Sequence, residues 1–467
     1  MTTLPHIAIL GGGPAGVGAA YQLRRTGKAR VTLIEAQQML GGNAGSFRAF
    51  DQYLDYGSHR LHHAVDPQIL ADIKRLLGSD LKDMPRHGRI RLRGKWLHFP
   101  LKPLDLLLRL DKRFAAGIVR DMIAKRLRRR DEGDSFASVL RANLGATICD
   151  DFYFPYARKI WGHEPAQLSA IAARKRVSAG SFAKMIKRLL RPPGAGFFYY
   201  PRRGYGQITD AYAAAAKEQG ADIRLATRAL ALSRDSGESR WRLEVRGPAG
   251  AATIEADQLW STIPVTVLAR MMQPATDATV LAAADKITYR AMVLVYLQLP
   301  MSQFTTTDAH YFPEAHIAMT RLSEPKNYWA SIEPRNSTTL CAELPCMHDD
   351  ELWSLSDEEL GARVAEDIER AGLPLPVKPT AVLVKRLPQA YPIYLNGYEQ
   401  PLAALDRWCE SLPGVLTYGR QGLFAHDNLH HALYMAYAAV DCLAGTAFDH
   451  GKWRDYREIF ATHVVED

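Results

Sequence analysis

His6-Ile7-Ala8-Ile9-Leu10-Gly11-Gly12-Gly13-Pro14-Ala15-Gly16 couples a short apolar run to a glycine-rich turn. The run predicts a buried strand, and the small residues Val17 to Leu23 predict a helix behind it. A second apolar run, Val31-Thr32-Leu33-Ile34, ends in Glu35. Strand, Gly-x-Gly-x-x-Gly turn, helix, strand and acid, in that order, are the arrangement that binds a dinucleotide. Each glycine has its own task. Gly11 allows the tight turn, Gly13 lets backbone approach a pyrophosphate, and Gly16 lets the helix pack close to the strand. The pyrophosphate then meets helix N–H groups and the positive end of the helix dipole. Glu35, about 20 residues on, can accept hydrogen bonds from a ribose 2′-hydroxyl and would repel a 2′-phosphate, which argues against NADP.

The 467 residues suffice for two or three packed lobes, and 47% apolar with 23% charged residues is an ordinary globular composition. The net charge of +9 is unevenly placed: nine Lys or Arg and two acids lie between Arg109 and Arg130. Such a stretch reads as a solvated helix face, a membrane-surface contact or a wall that attracts an anionic substrate. Nucleic acid is not an expected partner, because no recognition motif accompanies the charge. The five cysteines lack metal-ligand spacing and read as buried, reduced thiols. The adjacent pair His62-His63 lacks the rest of a ligand set, so no metal is expected. The first strand begins almost at once, leaving no room for a signal peptide, and no apolar stretch is long enough to span a bilayer. A cytoplasmic protein is expected, with the basic stretch able to touch a membrane; the oligomeric state is not legible.

The nucleotide-binding lobe is expected in three pieces, residues 1–100, 199–265 and 411–467. A helical insert or substrate lobe (101–198) and a substrate-binding sheet domain (266–410) separate them. Gly41-Gly42-Asn43-Ala44-Gly45 is a second glycine-rich loop. Arg89 to Phe99 alternates like a hairpin around Arg93-Gly94, and Pro192 to Gly196 is a break after the helical stretch. Met292–Leu299, Tyr328–Ile332, Thr338–Leu344 and Ala381–Arg386 read as strands of the second sheet, with a helix over about 357–371 among them. The chain closes with a strand over 414–418, the loop Gly419–Asp427 and a helix from Asn428 to about Leu443.

The early glycine fingerprint with Glu35, Gly41-Gly42 and the late loop Tyr418-Gly419-Arg420-Gln421-Gly422 resemble the FAD-binding amine-oxidase superfamily. Within it the chain is similar to protoporphyrinogen-oxidase-like oxidoreductases and to UDP-galactopyranose mutases. Tyr56-Gly57-Ser58-His59, Gly42-Asn43-Ala44, Tyr289-Arg290 and Thr320-Arg321 look mutase-like. Tyr200-Pro201-Arg202-Arg203-Gly204-Tyr205-Gly206 and Ala390-Tyr391-Pro392-Ile393-Tyr394 look oxidase-like. Tyr156 with Trp161-Gly162 resembles a cleft-lining element of both. After Gly422 the residues Leu423 to Asn428 depart from the usual aromatic–Asn version.

The resemblance implies an α/β protein: a Rossmann-type FAD-binding domain (GR2-like) with a second, substrate-binding α+β domain and a helical insert. It implies FAD held by Gly11, Gly13, Gly16, Glu35, Gly41, Gly42, Asn43, His59, Gly419, Arg420, Asp427 and Asn428. His59 is expected beside the flavin ring, and Asp427-Asn428 at a helix N-terminus facing its pyrimidine end. Arg290 and Arg321, with Arg176, are candidate forks for carboxylate or phosphate oxygens. Tyr156, Trp161 and Tyr394 complete the expected substrate wall. The implied function is an FAD-dependent oxidoreductase acting by hydride transfer to flavin N5, with His59, Arg290 and Arg321 as catalytic candidates. A non-redox nucleotide-sugar mutase is the alternative, and a flavin-bearing binding protein without turnover a third.

Overall fold

The first strand, His6–Leu10, lies at the middle of a five-stranded parallel sheet ordered Val415–Thr417, Gln258–Ser261, His6–Leu10, Arg30–Ile34 and Asp222–Arg224. Its side chains alternate between two cores: Ile7 and Ile9 enter one, Ala8 and Leu10 the other. Burial on both faces explains why the run is continuously apolar rather than alternating. The computed structural model describes residues 4–99, 109, 111–127, 133–176, 196–234 and 240–465.

The first core is closed by the helices Pro14–Arg25, Gln207–Glu218 and Leu429–Asp441. Gly18 lets the first and third of these approach, since a Cβ there would lie 2.9 Å from Leu433 Cδ2. Over the other face lies a four-stranded sheet built on the hairpin Trp241–Gly247 with Gly250–Ala256.

A seven-stranded sheet forms the second lobe, in the order Ala381–Pro392, Tyr289–Leu299, Thr338–Cys346, Arg321–Ser323, Ala309–Tyr311, Gly88–Leu92 and Lys95–Phe99. In the strand Tyr289–Leu299, Ala291, Val293, Val295 and Leu297 join a core with the helix Asp357–Arg370. Met292, Leu294 and Tyr296 turn to the opposite face and pack with Leu54. Two placements differ from expectation. The hairpin at 88–99 hydrogen-bonds into this second sheet rather than beside the nucleotide strands. Tyr328–Ile332 is not a strand: Lys326–Trp329 is a short helix ended by Ala330 at φ +51°. There Lys326 Nζ donates to the carbonyls of Ser302 and Ser337, a local demand that overrides β propensity.

Between Lys112 and Arg176 the described segments are mainly helical, with a π-helical turn, Cys149–Tyr153, leading into the helix Phe154–Trp161. All five cysteines are buried and free. Among the described residues no helix is long and apolar enough to cross a membrane.

Candidate active site

One cavity of about 420 Å³ runs from the first glycine turn to the seven-stranded sheet. This volume lies within the range of roughly 300–1,000 Å³ usual for small-molecule sites. At its first end Gly11 takes φ +100°, and a Cβ there would lie 2.4 Å from Thr262 Oγ1. Gly13 is different: nothing lies within 4 Å of where its Cβ would be, so it faces open cavity. Gly16 does not line the cavity; a Cβ there would sit 1.9 Å from the Gly11 carbonyl oxygen, so it sets the helix against the turn. Glu35 lines the cavity while its carboxylate accepts from Gly12 N–H at 2.7 Å and Gln37 N–H at 2.8 Å. A carboxylate with about four lone-pair sites retains capacity for ribose hydroxyls. The open face at Gly13, the helix N-terminus and Glu35 fit the ADP half of FAD.

Gly41 (φ +102°), Gly42 and Asn43 continue this wall. Asn43 Nδ2 and Gln421 Nε2 both donate to the Gln389 carbonyl, at 3.1 and 2.8 Å, joining the early loop to the closing loop through one strand. Arg420 donates to the carbonyls of Ala390 (2.6 Å) and Asp427 (3.3 Å) and lies over the Tyr391 ring. Gly419 is off the cavity; at φ +79° it packs against Ala15 and brings the closing loop to the first helix. Asp427 and Asn428 line the cavity, with Asn428 capping the helix Leu429–Asp441.

Asp427, His431 and His463 bring donor atoms within 4.8 Å of one another, and the two imidazoles stack at 4.2 Å with planes 13° apart. Stacked rings keep their lone pairs in parallel planes rather than aiming them at one point, unlike a metal centre. His463 Nδ1 hydrogen-bonds Asp427 Oδ2 instead.

The middle of the cavity is positioned by a buried carboxylate. Glu343 Oε1 accepts from Ser58 N–H at 2.6 Å, and its Oε2 accepts from Arg321 Nη2 at 2.9 Å. Gly57, at φ +103°, makes room for this approach. His59 thereby reaches the cavity, half-buried and stacked on Tyr205. Cross-strand pairing explains the rest, because directly paired residues share a sheet face. Leu294, Glu343, Arg321 and Tyr311 are successive partners across four strands. Beneath this region Asp55 accepts from Ser46 Oγ, Tyr200 OH and Tyr205 N–H. Burial pushes its carboxyl up to about 6 against the opposing effect of those hydrogen bonds.

Tyr156 and Arg321 line the cavity, but three other expected site residues are held elsewhere. Arg290 is 6% exposed and donates to the carbonyls of Ile160, Lys159 and Pro345, satisfying the end of the helix Phe154–Trp161. The orphaned carbonyls there claim the guanidinium, so it does not reach the cavity. Trp161 is core, packed edge-on to Phe136. Tyr394 is buried beneath the closing loop; its hydroxyl donates to Phe424 O and accepts from His426 N–H. It shapes the loop rather than the substrate wall. The Arg176 side chain lies outside the described residues, as do residues 110 and 128–130 of the Arg109–Arg130 stretch.

Sequence reasoning missed Glu343, Arg60, Arg86, Tyr205, Phe198 and Tyr311, all in the cavity wall. One signal was available for Glu343, a lone charge within the otherwise uncharged strand Thr338–Cys346. Charges are rarely buried without a partner.

A family model described as flavin containing amine oxidoreductase matches residues 14–425. The chloroplastic protoporphyrinogen oxidase of Oryza sativa subsp. japonica is 23% identical over 499 residues, covering 97% of this chain and 89% of the relative. Among solved structures, reduced UDP-galactopyranose mutase superposes with a TM-score of 0.82 at 21% identity, covering 99% of this chain and 100% of that one. A candidate protoporphyrinogen oxidase from Exiguobacterium sp. 255-15 gives 0.74 at 22% identity, covering 94% and 99%. At these identities the structural likeness establishes the fold alone.

Proposed function

Because the chain belongs to the flavin-containing amine oxidoreductase family, we propose that it is an FAD-dependent oxidoreductase that takes a hydride from its substrate to flavin N5. Bound FAD supplies the two-electron acceptor, and the protein supplies binding, orientation and electrostatics. The observation that carries this reading is the continuity of the cavity from Glu35 and Gly13 to His59, Tyr156 and Arg321. Gly11, Gly13, Gly42 and Glu35 would hold the ADP half. Arg420 and the N-terminus of the helix Leu429–Asp441 favour negative charge near the closing loop. His59, in the cavity wall, would hold or move a proton, and Arg321, held by Glu343, would orient an anionic substrate. The test is anaerobic mixing of the oxidised, flavin-loaded protein with candidate substrates. Bleaching of the visible flavin band within a single turnover is the expected result, and an unbleached flavin during product formation overturns the reading.

A second reading, a non-redox nucleotide-sugar mutase, is favoured by the closeness of the fold to UDP-galactopyranose mutase and by Gly42-Asn43-Ala44. It requires sugar rearrangement only after dithionite reduction, without net loss of reducing equivalents.

A further inference from the structure

Beyond Arg321 and Arg420, two more arginines line the cavity. The Arg60 side chain is 9% exposed and lies over the rings of Phe198 and Tyr328, 5.3 Å from each centroid. Its contacts with acceptors are long: Nη1 to Tyr311 OH is 3.4 Å and Nη2 to Asp308 Oδ1 is 3.5 Å. Charge-assisted hydrogen bonds of this type close to about 2.7–2.9 Å when fully made. Arg60 Nε is buried with no partner among the described residues. Arg86 stands next to it through Asp308, whose other oxygen accepts from the backbone N–H of His87 at 3.0 Å. Arg86 lies over the Phe99 ring, and its Nε and Nη2 are likewise buried and unpartnered. Both arginines line the cavity, as does Arg321, whose guanidinium lies over the far ring of Tyr311. Asp308 and Glu343, the carboxylates of this end, are engaged by Arg60 and Arg321 respectively.

Buried donors without acceptors are costly, roughly 1–3 kcal/mol each and more when charged. A protein that keeps two such groups at one end of a cavity is arranged for an acceptor that arrives with the ligand. We propose that Arg86 and Arg60 form an oxyanion seat for a phosphoryl or carboxylate group of the substrate, separate from the position served by Arg321. The aromatic rings of Phe198 and Tyr311 flank this seat and suit an apolar or flat portion of the same molecule. The inference deepens the function proposed above by naming the substrate class, an anion carried on an apolar or planar body, and it rests on that reading only for which end of the cavity receives substrate.

The experiment is calorimetric titration of FAD-saturated protein with sodium pyrophosphate and, separately, sodium glutarate. FAD saturation keeps the anion off the glycine turn. At least one of the two should bind with one-to-one stoichiometry, and which of them binds more tightly distinguishes a phosphoryl from a carboxylate source. Arg86→Met should weaken binding about tenfold or more, with Arg86→Lys restoring part of it. Arg60→Met should do the same; because Arg60 is buried, its flavin content and melting temperature are recorded alongside. Binding of neither anion, or affinity unchanged in Arg86→Met, overturns the proposal. A colourless protein that still binds anion through Arg86 would sink the flavin reading while leaving this one standing.

Discussion

The two ends of the cavity are made of different material. At the dinucleotide end the chain presents backbone: a turn at Gly11, an open face at Gly13, and helix N–H groups. At the sheet end it presents side chains, with Glu343, Arg321, Tyr311, Arg60 and Arg86 converging from separate strands and loops. Backbone recognition needs side chains to be missing at set positions over a short length. Side-chain recognition needs the register of a sheet, which residues far apart in sequence create together.

This contrast predicts where substitutions are most damaging. The largest effect is expected for Gly16→Ala. Its single methyl group would lie 1.9 Å from a backbone oxygen that cannot swing away. A loss of more than about 3 kcal/mol in stability, and purification without flavin, are expected; a yellow protein of unchanged melting temperature would show that the helix and turn can separate.

Asp55 joins the two ends, linking Ser46 behind the glycine loop to Tyr205, the stacking partner of His59. Its folded-state value of about 6 lies above the ordinary aspartate value of 3.8, so the folded protein binds the proton more tightly. Between those values the unfolded chain carries the smaller number of protons, and stability falls as pH rises. Relative to Asp55→Asn, the wild type should lose about 2 kcal/mol from pH 4 to pH 6, read from denaturation midpoints. Parallel pH profiles would show that Asp55 does not titrate in this window.

Glu35→Ala removes both the acceptor expected to meet ribose and the partner of Gly12 N–H. FAD affinity should weaken by about 2 kcal/mol, measured by flavin release on dilution; full retention would place the ribose elsewhere. The smallest and most discriminating comparison is Arg321→Ala against Arg290→Met. The first should raise KM for an anionic substrate by about tenfold with flavin retained. The second should lower the melting temperature and leave KM in place, because Arg290 holds helix-end carbonyls. Equal effects of the two on KM would return Arg290 to the site.

Legibility followed the same division. The centre of the five-stranded sheet could be anticipated because His6–Leu10 and Arg30–Ile34 are compact, mostly apolar runs flanking the glycine turn, and Val415–Thr417 falls within the expected strand over 414–418. Arg290 and Arg321 look alike in sequence, each following a hydroxyl-bearing residue next to an apolar stretch. Their fates diverge because Arg290 faces the carbonyl end of a helix and Arg321 faces Glu343. The sequence does not single out Arg60 although it adjoins His59, since nothing local distinguishes a buried guanidinium from a surface one.

From its order of residues alone, this chain specifies a dinucleotide fold and its acid, because a tight turn, a close helix and a ribose acceptor are requirements of neighbouring atoms. Which arginines line the cavity, and which cap a helix, emerged only when strand register and long-range packing brought distant side chains to a common cavity. Local sterics can be written in a dozen residues; the partner of a buried charge cannot.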